Sequence, residues 1–372
     1  MAQSLEVKHP INQKTALQDL FKIPFDNLLE TPHFLEVLKT KAIVITHPGD
    51  ESVLQIQERA LRDPGPGEVR VAVAACGLNR ADILQRMGLY PPPSDAPQDV
   101  PGLEFSGHIE ATGPDVRGFR EGDPVMGIVS GGAMATHLIT HCRMLMPAPQ
   151  RLGLIEAAAI PEAFLTVWDA FFSQASLHPG MNVLIHAVGS GIGTAALQVG
   201  LRTGATLLGT SRSQWKIERA KQMGLQHSLQ LLPLPEGGTL LCNWVEEITK
   251  KKGVHLILDT LGGPWLEFHL SSLALKGTIV CIGLLDGAKG TLPMAQLLSK
   301  RARLIGTLLR TRPIEEKIAL TQRFTHEALP LLEDGVLHPV VDRVLPLTAV
   351  AEAHRLLAEG KAFGKIVLEV NL

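Results

Sequence analysis

The spacing of apolar residues changes character near Pro149. Before it, from Lys41, short apolar runs alternate with glycine and proline. Ala42-Ile-Val-Ile-Thr reads as a strand, and Leu54 and Ile56 in 51–58 fall at every second position, the strand period. Asp63-Pro-Gly-Pro-Gly-Glu is a turn cluster leading into the strand Val69-Arg-Val-Ala-Val-Ala-Ala. Segments of the same kind at 107–113 and 123–129 predict a β-rich unit. After Pro149 the pattern lengthens. Residues 156–172 are apolar almost all round, as in a helix buried between layers. Strands at 182–187, 205–210, 255–259 and 278–282 then alternate with helices at 194–202 and 215–223, which predicts a parallel sheet covered on both faces. Strand pattern returns at 343–345 and 365–370, around a helix at 349–358.

Composition narrows the class. A chain of 372 residues has room for two domains, and 45% apolar with 19% charged residues is globular. A formal charge of −2 excludes a general electrostatic grip on nucleic acid. Cys76, Cys142, Cys242 and Cys281 form no CxxC pair and suit a reduced, cytoplasmic protein rather than a disulfide framework. No apolar run reaches the ~18 residues of a membrane span; the richest, 157–172, is broken by Pro161, Glu162 and Asp169. Residues 1–40 lack arginine and a compact apolar core, so they are neither transit nor signal peptide and read as a loosely attached tail.

His186-Ala-Val-Gly-Ser-Gly-Ile-Gly-Thr follows a strand and opens a helix. In that setting small residues permit a tight turn and close approach of a pyrophosphate, which then sits on helix N–H groups. The spacing of Gly189, Gly191 and Gly193 departs from Gly-x-Gly-x-x-Gly, and a turn without a ligand is the alternative. The end of the next strand, Thr210-Ser211-Arg212-Ser213-Gln214-Trp215-Lys216, has no acid before Glu218. Arg212 and Lys216 can neutralise a 2′-phosphate and Ser211 can donate to it, so NADPH is the expected cofactor. A solvated basic helix start is the competing reading. His137 and His141 lie in a strand, about 13 Å apart, and are not expected to chelate.

Beyond these local signals, the chain resembles the zinc-free quinone oxidoreductases of the medium-chain dehydrogenase/reductase superfamily, most of all the p53-inducible subgroup. The resemblance rests on 78–93 (Leu-Asn-Arg-Ala-Asp-Ile-Leu-Gln-Arg-Met-Gly-Leu-Tyr-Pro-Pro-Pro), Gly102-Leu-Glu-Phe-Ser-Gly-His, Ala158-Ala-Ile-Pro-Glu-Ala-Phe-Leu-Thr and the loop at 186–196. It continues through Leu258-Asp-Thr-Leu-Gly-Gly, Ser299-Lys-Arg to 308–312, and Phe363-Gly-Lys-Ile-Val-Leu. It implies an α/β fold in which a GroES-like β-rich substrate domain (41–165 plus 311–372) carries an inserted Rossmann doubly wound parallel-sheet domain (166–310).

The resemblance also implies functional residues. Asn79 and Tyr90 would face the nicotinamide and the acceptor, Asn79 donating through its amide and Tyr90 stacking or bonding through its hydroxyl. A capping role for the Asn-Arg-Ala-Asp turn competes at Asn79 and Asp82. Thr166, Gly189, Ser190, Gly191, Ile192, Gly193, Gly283, Leu284 and Leu285 would contact the dinucleotide, although 282–285 also reads as a buried strand end. In zinc-dependent members a cysteine stands at the position of Asn79 and a histidine at that of Leu103. Neither Asn nor Leu is a usual zinc ligand, so no catalytic metal is expected. The implied activity is hydride transfer from NADPH to a quinone in the interdomain cleft of a homodimer. Reduction of enals or enoyl thioesters is the alternative, and a noncatalytic NADPH-binding role a third.

Overall fold

The computed structural model describes residues 38–372; the expected tail lies outside the described residues except for its last three. The first strands, β1 (Lys39–Ile45) and β2 (Leu54–Ala60), form an antiparallel hairpin. Residues 51–53, expected to be extended, make a single 3₁₀ turn because the Asp50 carboxylate accepts the Ser52 N–H at 3.0 Å. Next come β3 (Glu68–Gly77), β4 (Glu104–Thr112), β5 (Pro124–Ile128), β6 (His137–His141) and β7 (Leu145–Pro147). The chain then builds β8 (Asn182–Ile185), β9 (Thr206–Ser211), β10 (His227–Gln230), β11 (Val254–Asp259), β12 (Leu273–Cys281) and β13 (Arg303–Gly306). It returns with β14 (Val341–Pro346) and β15 (Lys365–Glu369).

Two sheets result. One has the order β14-β15-β3-β4-β5-β7, with β6 pairing β3. The other is wholly parallel, in the order β10-β9-β8-β11-β12-β13. That second order is the doubly wound dinucleotide-binding arrangement, whose strand direction of travel reverses between β8 and β11. A crevice at the carboxyl ends of those two strands is where such sheets bind ligands.

The helices that bear on the site are α1 (Arg80–Arg86), α2 (Leu154–Ala157), α3 (Pro161–Trp168), α4 (Gly191–Thr203) and α5 (Gln214–Gln222). The single helix expected over 156–172 is interrupted at 158–160 and restarts with Pro161 at its first position. Proline has no N–H to continue the α2 ladder, but at the start of a new helix none is needed. Phe164, Trp168, Phe171 and Phe324 pack in one core with the inner faces of β8 and α4. The apolar pattern of 156–172 is thus explained by burial between layers. Among the described residues no helix is long and apolar enough to cross a membrane.

Candidate active site

The loop after β8 carries the strongest local signal. Ala187 adopts a left-handed φ of 49°, and Ser190 caps α4, its hydroxyl accepting the Gly193 N–H at 3.0 Å. A side chain on Gly193 would run into the Ala187 carbonyl and the Val188 backbone. At Gly189 a Cβ would lie 2.9 Å from Lys216 Cβ and 3.0 Å from the Phe363 ring. Loop and helix therefore meet backbone to backbone, leaving a cradle that suits a pyrophosphate on the N-terminus of α4. Ser190, Gly191, Ile192 and Gly193 all belong to this one turn.

Ser211 ends β9, buried, and its hydroxyl accepts the Ser213 N–H at 3.2 Å. Arg212 follows that strand end directly, and Lys216 lies in the first turn of α5. Lys216 packs on Gly189 with its ammonium 5.3 Å from the Trp215 ring centroid, and burial pulls its pKa down. Arg212 is 71% exposed, its guanidinium 3.8 Å from Asp286. Asp286 is an acid that sequence order hid, being far along the chain in the loop after β12. That loop also holds Gly283, Leu284 and Leu285. The buried-end reading does not hold for the two leucines, because β12 stops at Cys281 and both side chains are exposed. The Leu285 N–H bonds to the Thr260 carbonyl, which places them at the end of β11, across the crevice from the phosphate loop.

The second half of the site is built on α1. Its Asp82 reaches back to the Asn79 N–H at 2.7 Å and also accepts the Gly102 N–H at 2.9 Å. This is the helix-capping role that competed with a catalytic one. Burial raises the Asp82 pKa to about 6 against the pull of those two bonds. The Asn79 side chain is fully engaged. Its Oδ1 accepts from Lys365 Nζ at 2.7 Å, and its Nδ2 donates to Glu104 at 2.9 Å and weakly to the Gly77 carbonyl at 3.4 Å. Lys365 completes three bonds with the Leu78 carbonyl at 3.0 Å and Glu104 at 2.5 Å. The other Glu104 oxygen accepts the Glu162 N–H at 2.8 Å, at the start of α3. Lys365 and Glu104 are 5% and 0% exposed, so this pair is sealed from water.

Lys365 also touches the other half. Its Cγ lies 3.1 Å from where a Gly191 Cβ would be, and the Gly364 N–H bonds to the Gly189 carbonyl at 2.9 Å. One residue at the start of β15 thus joins the phosphate loop to Asn79. Tyr90, half-buried beyond α1, is fixed by Arg310. That guanidinium donates to the Tyr90 carbonyl at 3.0 Å, lies 5.0 Å from the ring centroid, and is itself held by Gln85 and the Ser130 carbonyl. Burial raises the Tyr90 hydroxyl pKa, which keeps its proton in place. Thr166 lies on α3 one turn after Glu162, on the same face. Glu104, Glu162, Arg310 and Lys365 had no assigned role in the sequence. The signal was there, since each charge is embedded in an apolar stretch and buried charges are rare.

A zinc ion has no suitable ligand set at the family's positions. Leu103 is apolar and 2% exposed, the Asn79 amide is engaged, and the neighbouring Glu104 is bound by Lys365. Burial drives the Cys76 thiol pKa far up, away from the thiolate that zinc selects. Among the described residues no three His, Cys, Asp or Glu converge to hold a metal.

Comparison with known proteins agrees with the fold. Residues 65–165 match the family model for the alcohol dehydrogenase GroES-like domain, and residues 239–368 that for zinc-binding dehydrogenases. Quinone oxidoreductase-like protein 2 of Mus musculus is 33% identical over 319 residues, 86% of this chain and 89% of its own length. The crystal structure of an NAD-dependent alcohol dehydrogenase superposes with a TM-score of 0.78 at 32% identity, covering 89% of this chain and all of that one. The JamJ enoyl reductase superposes at 0.79 with 26% identity, over 89% and 99% of the two chains.

Proposed function

The chain belongs to the medium-chain dehydrogenase/reductase superfamily of oxidoreductases, and from that premise we propose that it is an NADPH-dependent quinone oxidoreductase. The observation that carries this reading is the Lys365–Asn79–Glu104 cluster, which engages the Asn79 amide at one of the two positions, with Leu103, where the resemblance puts metal ligands in zinc-dependent members. Asn79 and Leu103 are not zinc ligands, which favours an acceptor that is reactive by itself, as a quinone is.

Bound NADPH supplies the hydride. The α4 N-terminus and the Gly189–Gly193 turn would hold its pyrophosphate, and Thr166, Gly283, Leu284 and Leu285 would contact the dinucleotide. Tyr90 meets the charge that develops on the acceptor's oxygen. Asn79 acts one step back, its amide oriented by Lys365 and Glu104, and keeps the end of α1 against the cofactor loop. Stopped-assay comparison of NADPH oxidation with ortho- and para-quinones and with trans-2-enoyl thioesters tests the reading. Turnover with enoyl substrates alone transfers the protein to the enoyl-reductase group that it also resembles in fold.

Arg212 and Lys216 support NADPH over NADH, tempered by Asp286 beside Arg212. Arg212→Asp with Lys216→Ala is expected to weaken NADPH binding at least about tenfold, ~1.4 kcal/mol, and leave NADH binding nearly unchanged. An unaltered ratio of the two dissociation constants defeats the assignment. The homodimer is proposed on β13, an edge strand that carries the exposed Leu304 and follows a helix (Met294–Lys300) exposing Met294 and Leu298. Sedimentation equilibrium reads it directly as a doubled mass. The sparse cysteines support a cytoplasmic setting.

A further inference from the structure

Two cations meet beside Tyr90 with no anion to answer them. Arg310, in the loop after β13, and Lys317, on the helix Ile314–Glu327, are 4% and 7% exposed. Ser130 ties them together. Its hydroxyl accepts from Lys317 Nζ at 2.8 Å and donates to the Arg310 carbonyl at 2.9 Å, and its carbonyl accepts from Arg310 Nε at 2.8 Å. The other Arg310 bonds go to the Tyr90 carbonyl and the Gln85 side-chain oxygen. All of these acceptors are neutral, and among the described residues neither cation pairs with a carboxylate. The segment 91–98 that follows Tyr90 packs at the same place. A Cβ on Gly131 would lie 3.2 Å from the Pro97 carbonyl oxygen and 3.7 Å from Arg310 Nη2. Asp95 on that segment is exposed, and its charge reaches Lys317 without a bond. Ser130 and Tyr90 are only half-buried, so the two cations lie just beneath a surface that solvent reaches.

An ammonium has three N–H donors and a guanidinium five, so Lys317 keeps two for a further partner and Arg310 two. Neutral side chains could tie Ser130, Tyr90 and Gln85 together without the cost of burying unpaired charge. We propose that this pair binds an acidic group, a carboxylate or a similar oxyanion, on the acceptor that Tyr90 meets. This rests on the functional reading above and narrows its substrate class to anionic acceptors. Arg310 is already committed to Tyr90, so Lys317 is the residue that selects for charge. Burial pulls the pKa of both groups down, and an arriving anion offsets that by favouring their charged forms.

The test measures kcat/KM with NADPH for 1,4-naphthoquinone-2-sulfonate and for uncharged 1,4-naphthoquinone, in wild type, Lys317→Met and Lys317→Arg. The ratio of the two values is the readout, because each quinone's own reactivity cancels when the proteins are compared. In Lys317→Met the ratio is expected to fall at least about tenfold, the scale of one lost charge-assisted hydrogen bond. Lys317→Arg, which keeps the charge, is expected to hold it near the wild-type value. A damaged fold would lower both activities in proportion, and an unchanged ratio in Lys317→Met overturns the proposal. A second readout needs no turnover. Naphthalene-2-sulfonate, titrated calorimetrically into the protein, is expected to bind wild type at least about tenfold more tightly than Lys317→Met. Equal affinities, or no binding to wild type, overturn the proposal. Should Lys317→Met not fold, Lys317→Gln drops the charge and keeps a donor for Ser130. If the wild type reduces neither quinone, the functional reading fails, while the titration still decides whether the pair binds an anion.

Discussion

Replacing Lys365 with methionine is expected to cost about 3–5 kcal/mol of stability, because it leaves Glu104 buried with no cation. For a chain of this size that is a fall in Tm of roughly 4–6 °C by thermal denaturation. Methionine keeps most of the stem that packs on Gly191, so the loss is one of charge and hydrogen bonds rather than volume. Adding Glu104→Gln removes the stranded charge and is expected to restore much of the stability. Turnover is not expected to return with it, since Asn79 still lacks the ammonium that orients its amide. A double variant with both stability and full kcat would show that the cluster serves the fold alone.

The second large effect is at Tyr90. Tyr90→Phe keeps the ring under the Arg310 guanidinium and removes only the hydroxyl. If that hydroxyl meets the charge on the acceptor, kcat falls about 10²–10³-fold, the scale for loss of one oxyanion donor. The NADPH dissociation constant should not move, because the cofactor's cradle is built from other elements. Tyr90 is the chain's single tyrosine, so its ultraviolet absorbance can be titrated without interference from another phenol. Its apparent pKa is expected above the ordinary value, in the direction that burial dictates.

Much of this was legible in the chain. The β-rich start, the alternating middle and the returning C-terminal strand all followed from period and punctuation, since burial on one face or between layers leaves a direct mark on sequence. The cradle at 189–193 was visible because glycine at close backbone contacts has no substitute. What stayed hidden depends on distance in sequence. Lys365 and Asn79 are 286 residues apart, and nothing local announces their bond. Asp286 escaped notice beside Arg212 for the same reason, and so did Arg310 beside Tyr90. The amide of Asn79 shows the limit most clearly. Resemblance gave it a place facing the acceptor, whereas only the structure shows that its donor and acceptor are both engaged by neighbours.

That same bond between Lys365 and Asn79 has a bearing on how the molecule is born. At cellular elongation rates, the interval between synthesis of the two residues is on the order of tens of seconds. During that time β3 and β4 exist, but Glu104 has no cation to enter the core with, and β15 is not there to cover β3. The intervening parallel sheet can fold as a unit in the meantime, whereas the first sheet must wait. β15, made only after the whole parallel sheet, is the strand that closes the candidate site.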